Sequence, residues 1–215
     1  MKRTALYLSA ALAYLFSGQA RAQSMDSVLV SVPESELPLL ERNPRLDMLD
    51  LYNSQMEAKG ENIFGGASYL TEKDDNYLRI RLTDVSEWEL QRLTLDGDTL
   101  FVCIHSVSTP ATGSTVRCYS KTWERDTSLR LRMPDFSDFW KPEADSLTAA
   151  RRTSLRELLQ ESPVEIHWEH DAQHQPLLTF SLSVEGLSIE DRDDARRCLK
   201  PVTGPAAQFI VRTRP

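Results

Sequence analysis

Three of the four histidines, His167, His170 and His174, fall within eight residues that also hold Glu169 and Asp171, with Glu165 two residues ahead of them. Imidazole and carboxylate are zinc ligands and proton carriers, so this crowding is the candidate metal site, or the centre of a hydrolase. Strand periodicity works against both. In a strand His167 and Glu169 share one face while His170 points to the other, and only a helix aligns all three histidines. Pro163 before the segment and Asp171-Ala172-Gln173-His174-Gln175-Pro176 after it predict a strand running into a polar surface turn. No metal and no other cofactor is expected.

The three cysteines are Cys103, Cys118 and Cys198. Cys103 and Cys118 lie on opposite arms of a hairpin that turns near Pro110-Ala111, equally far from the turn, so they could face each other. A disulfide there would stabilise the chain by about 3 kcal/mol. The alternative is that all three are buried small hydrophobes. Trp123, Phe136, Phe139 and Trp140 are the candidate platform for a sugar or peptide, with core packing as the plainer role. Asp96-Gly97-Asp98 and Asp191-x-Asp193-Asp194 offer oxygen ligands but lack the spacing of a calcium loop, and read as a turn and a helix start. No nucleophile elbow surrounds a serine, and Gly65-Gly66-Ala67-Ser68 resembles one only superficially. Neither phosphate-cradling glycine motif occurs, which excludes ATP and NAD as first guesses.

The elements that carry these residues follow from periodicity. A polar lead, 23–31, precedes a short turn capped by Ser35. Asn43 and Pro44 then start a helix whose apolar stripe is Leu46, Leu49, Tyr52 or Asn53, and Met56, with Gly60 as its stop. From Ala67 to Lys121 the period changes to two, with Leu78, Ile80 and Leu82 opposite Arg79, Arg81 and Thr83. Trp88, Leu90 and Leu93 extend the alternation to the hairpin signal Asp96-Gly97, and a meander of four or five half-buried strands results. Asp145 or Ser146 caps a second helix through Glu161. Strands over 164–169 and 177–184, a helix over 190–199 with Arg196-Arg197 at its end, and a strand over 207–212 complete the chain. Leu78–Thr83 and Leu178–Ser183 share a strand alternation too short to establish a repeat. The fold class is α+β: one domain over 25–215, a mainly antiparallel meander packed by two or three helices.

Ahead of that domain, Lys2 and Arg3 precede twelve uncharged residues, Ala5–Phe16, and Ala20-Arg21-Ala22 supplies the small-x-small pattern of signal peptidase. The twelve-residue apolar run is too short to span a bilayer, and residues 1–22 therefore read as a cleaved signal peptide. Removing Lys2, Arg3 and Arg21 turns 25 bases into 22 against 32 acids, a net charge of −10. Such a chain is a poor nucleic-acid binder, and the pairs Arg151-Arg152 and Arg196-Arg197 read as solvated helix faces.

The stretch Pro33-Glu34-Ser35-Glu36-Leu37-Pro38-Leu39-Leu40-Glu41-Arg42-Asn43-Pro44-Arg45-Leu46-Asp47-Met48-Leu49-Asp50-Leu51-Tyr52, followed by Asn62-Ile63-Phe64-Gly65-Gly66 and Tyr77-Leu78, resembles an uncharacterised family of exported proteins found mainly in Bacteroidales. The resemblance implies an envelope or secreted setting and assigns no activity, ligand or catalytic residue. The expected function is a non-catalytic, periplasmic or secreted protein that binds an envelope protein, peptide or glycan, with no membrane span after cleavage. The alternatives are a periplasmic hydrolase or metal-dependent enzyme using the His167/His170/His174 region, and a purely structural envelope component.

Overall fold

The computed structural model describes residues 23–142 and 146–213. Its centre is an antiparallel meander of six strands in sequence order: β1 (Lys59–Glu61), β2 (Ala67–Lys73), β3 (Tyr77–Thr83), β4 (Ser86–Leu95), β5 (Asp98–Ser108) and β6 (Thr112–Ser120). The turn chemistry holds: Asp96 and Gly97 take φ of 53° and 87°, as a two-residue hairpin connection requires, and Leu95 pairs with Asp98. At the β1–β2 connection the Asn62 side-chain oxygen accepts the amides of Phe64 and Gly66, both at 3.1 Å, around a left-handed Gly65.

One face of the meander carries Leu78, Ile80, Leu82, Trp88, Leu90, Phe101 and Cys103, and two helices cover it. The first, α1 (Met25–Ser31), lies where a polar lead was expected. Met25, Val28 and Leu29 recur at helical spacing and are buried, and Ser24 caps the first turn. The second, α2 (Arg42–Asn53), starts earlier than Asn43, and its buried stripe is Arg45, Met48 and Leu49 rather than one led by Leu46. Arg45 is only 1% exposed. Its guanidinium donates to the carbonyls of Leu40 (2.8 Å) and Val32 (2.5 Å), and more distantly to Leu29 and Leu37 (3.5 Å each). A charged residue belongs in this core because it satisfies carbonyls that the end of α1 and the segment after it leave open.

β7 (Leu129–Leu131) and a 3-10 turn (Phe136–Phe139) lead to α3 (Ala149–Gln160), β8 (Val164–His170), β9 (Pro176–Leu182), α4 (Ile189–Cys198), β10 (Val202–Pro205), α5 (Ala206–Phe209) and β11 (Ile210–Arg212). A three-stranded sheet in the order β10-β9-β8 covers the meander's second face, joined by the pair β11-β7. The fold is α+β, as expected. Arg79 and Arg81 thus look toward a partly covered face, not a wholly solvated one. Helix α3 is capped by Thr148, and Asp145 lies outside the described residues, as do residues 1–22. Arg151 bonds Asp191 and Asp194 of α4, both at 2.7 Å, so it ties two helices instead of decorating a solvated face.

Candidate functional site

Alternation along β4 sends Trp88, Leu90 and Arg92 to the helical face and Glu89, Gln91, Leu93 and Leu95 to the face beneath the second sheet. One buried carboxylate occupies each of these faces.

On the helical face Glu36, from the segment between α1 and α2, is 5% exposed. It accepts the Trp88 indole N–H at 3.3 Å, Arg117 Nη1 at 3.1 Å and the Tyr119 hydroxyl. Cys103 stands beside it, and burial followed by the Glu36 charge pushes that thiol well up, so it is held as a thiol and not as a nucleophile. His105 Nε2 has no hydrogen-bond partner, and burial pushes its imidazole down. These side chains pin the 32–41 segment to the sheet, and no activated nucleophile or base arises among them.

On the other face Glu89 is 1% exposed, and its Oε2 accepts the Tyr77 hydroxyl at 2.6 Å and the Trp168 backbone N–H at 3.0 Å. Burial pushes this carboxyl up to about 7, with the bonds from Tyr77 and Trp168 pulling the other way. Trp168 lies on β8, the edge strand of the smaller sheet, whose unpaired backbone groups meet side chains of the meander. Ser114 Oγ accepts from Ile166 N at 2.9 Å and donates to its carbonyl at 3.2 Å. One step further, His170 Nε2 meets Gln91 Oε1 at 2.9 Å, and its ring packs edge-on to Tyr77 with centroids 5.0 Å apart. This is a satisfied polar seam, Ser114–Glu89–Tyr77–Gln91–His170, between two sheets.

Beyond the seam the same strands open into a cleft of about 370 Å³, lined by Leu93 and Leu95 of β4, Asp171, Gln175, Pro176 and Leu177 of the β8–β9 hairpin, and Pro205, Ala206 and Ile210 near α5. Three separate elements converge on its apolar walls, the form of a small-molecule or peptide site. Asp171 turns its carboxylate onto the amides of Gln173 and Gln175, both at 2.8 Å, which fixes the hairpin tip.

The sequence candidates disperse over this framework. His167 and His170 take opposite faces of β8, as strand parity predicts. His167 pairs with Glu169 at 3.1 Å, His170 joins the seam, and His174 holds a left-handed turn position (φ 57°). No group of three or more His, Cys, Asp or Glu side chains among the described residues is placed to hold a metal ion. Cys103 and Cys118 do not face each other: Cys103 pairs with Arg117 and Cys118 with Val102. That one-residue difference in register puts the two sulfurs on opposite faces, where no disulfide can join them, and none of the three cysteines takes part in a disulfide. The aromatic platform divides. Trp123 packs at a tilt against Phe101 and Tyr119 and donates to Ser31 Oγ at 3.0 Å, whereas Phe139 is buried below the second sheet. Phe136 and Trp140 meet edge-on at 6.0 Å, with the Arg156 guanidinium over both rings. Sequence reading missed Glu36, Arg45, Tyr77, Glu89 and Gln91. Glu89 and Gln91 alternate with Trp88 and Leu90 as the polar face of a half-buried strand would, and their partners on β8 lie 79 residues away.

The profile of a family described as "Protein of unknown function (DUF3256)" matches residues 17–203. No curated protein is significantly similar to the chain. Among solved structures, a domain of an uncharacterized protein from Porphyromonas gingivalis W83 superposes with a TM-score of 0.67 at 19% identity, covering 89% of this chain and 98% of that one. At that identity the likeness concerns the fold. No described helix is long and apolar enough to cross a membrane.

Proposed function

We propose, for a chain that belongs to the DUF3256 family of proteins of unknown function, a non-catalytic binding role in the cell envelope, exported by the segment 1–22 and exercised through the cleft beside β4. The observation that carries this reading is the cleft: Leu93, Leu95, Pro176, Leu177, Pro205 and Ile210 form apolar walls contributed by three elements. The occupant is an apolar polypeptide segment flanked by basic residues. Asp171 stands at the cleft, and Asp96 and Asp98 adjoin Leu95 with Arg212 as their shared counter-ion, so the local balance favours a cationic guest. The net charge of −10 after loss of Lys2, Arg3 and Arg21 acts in the same direction. Export is supported by the basic start, the apolar run and the Ala20-Arg21-Ala22 pattern.

The test is calorimetric titration of the purified chain with a leucine/lysine peptide and its leucine/glutamate counterpart. The basic peptide binds and the acidic one does not, and Leu95→Lys loses about tenfold or more in affinity. If neither peptide binds, the cleft reading fails. Mass spectrometry of the envelope fraction is expected to find a mature N-terminus at Gln23; intact chain starting at Met1 in the cell interior overturns the export reading.

A further inference from the structure

Glu89 is sunk between the two sheets, yet the donors that reach its carboxyl carry no charge: a phenol and a backbone amide. The nearest cation, Arg79, is occupied by Glu72 at 3.1 Å and Glu87 at 2.8 Å. The other charged or titratable groups that face Glu89 are Tyr77 from β3, Glu87 on its own strand and, through Gln91 and the Tyr77 ring, His170 from β8. Across the sheet, Glu89 pairs with Arg79 of β3 and Ile104 of β5, and Cys118 of β6 lies on the same face. A carboxylate in such surroundings gives up hydration without gaining a direct ion pair, so its neutral form suits the site better. Burial accordingly places its titration at about 7.

The position of Glu89 gives this a mechanical outcome. Its bond from the Trp168 amide strengthens when the carboxyl ionises, but the loss of hydration at this buried site is the larger effect, and β8 continues into the hairpin whose Asp171, Gln175, Pro176 and Leu177 form one wall of the cleft. We propose that Glu89 is a proton-operated latch: when neutral it seats β8 on the meander, and when ionised it draws in water and loosens the β8–β9 wall. The latch stands on the geometry of the seam, while its effect on binding rests on the cleft reading above.

The experiment follows the Trp168 amide resonance of the purified chain from about pH 5.5 to 8.5, with hydrogen exchange of the β8 amides corrected for intrinsic rate. The wild-type resonance moves in a single step near neutrality, and β8 protection falls by about tenfold across it. Glu89→Gln, a neutral isostere, abolishes the step and keeps high protection throughout. Tyr77→Phe removes a donor that favours the ionised form, so it moves the midpoint upward and tests the latch even if Glu89→Gln folds poorly. A wild-type resonance that stays flat overturns the latch, as does a step that persists in Glu89→Gln and vanishes in His170→Gln. Affinity for the leucine/lysine peptide falls by about threefold or more from pH 6 to pH 8 in wild type and not in Glu89→Gln. Equal affinity at both pH values beside a titrating amide overturns the link to the cleft. If the amide titrates and the peptide binds at neither pH, the cleft reading fails and the latch holds.

Discussion

Glu36 and Glu89 are carboxylates sunk to similar depth in opposite faces of one sheet, and they differ in what meets them. Glu36 meets the Arg117 cation, an indole and a phenol, and holds the segment between α1 and α2 in place. Glu89 meets a phenol and an amide, with its nearest arginine turned elsewhere. The first arrangement compensates a charge and the second discourages one. Burial alone therefore does not say whether a carboxylate is a fixed strut or a titrating joint; the charge of its donors does.

The largest effect tests whether the helical face is held by fixed polar contacts. Arg45→Met keeps the aliphatic stem but strands the carbonyls of Val32 and Leu40, since those of Leu29 and Leu37 also accept backbone amides, and urea unfolding is expected to show a loss of about 3 kcal/mol or more. A loss below about 1 kcal/mol would make Arg45 a packed stem rather than a carbonyl cap.

The sharpest contrast applies one substitution to both carboxylates. Glu36→Gln at pH 7 removes the charge that Arg117 faces and is expected to lower stability by about 2 kcal/mol, a figure reduced for the partial exposure of Arg117. Glu89→Gln has the opposite sign. Because its folded-state value lies above that of an unfolded glutamate, the native state holds its proton longer. The favourable contribution is complete below about pH 4.5 and is lost as pH rises through about 7. At pH 8, where wild type carries the buried charge, Glu89→Gln is expected to be more stable by about 1 kcal/mol or more, and near pH 4.5 the two should melt together. Equal signs for the two substitutions at pH 8 would erase the distinction between the faces.

The meander was readable because local chemistry and period agreed. Leu78–Thr83 alternates, Asp96-Gly97 can adopt left-handed φ, and the α3 and α4 stripes have polar caps. The departures share a cause: polar residues whose partners come from far along the chain. Arg45 is outside the stripe that apolar spacing picks out, and the carbonyls of Val32 and Leu40 draw it inward, which rotates the buried stripe of α2. Met25, Val28 and Leu29 were lost among serines and an aspartate, so α1 read as a lead. Glu89 and Gln91 looked like the wet face of a half-buried strand, because nothing local announces that β8, some 80 residues later, will lie across them. His170 was noticed for its neighbours in sequence, and its working neighbour is Gln91. The cleft needed three distant segments to meet and had no local signature.

The smallest expected effect falls on the two cysteines, which the same hairpin carries to different faces. The loop between β5 and β6 is centred on Pro110 alone, since Thr109 N bonds the Ala111 carbonyl at 3.2 Å and Ser108 pairs with Thr112. A register one residue away from the expected one follows, and with strand period two it reverses which neighbours each sulfur meets. Cys118 lies beside Val102 and Val116 in apolar surroundings that push its thiol up to about 11, whereas Cys103 sits against Glu36. Cys118→Val is thus expected to change stability by less than about 1 kcal/mol. Cys103→Val removes a group in contact with a buried carboxylate and should cost about 1 kcal/mol more, read by the same unfolding curves. Thiol counting in denaturant without reductant is expected to find all three cysteines reactive. A count of one, with Cys103 and Cys118 joined, would require β5 and β6 to slip by a residue and would move both carboxylate sites with them.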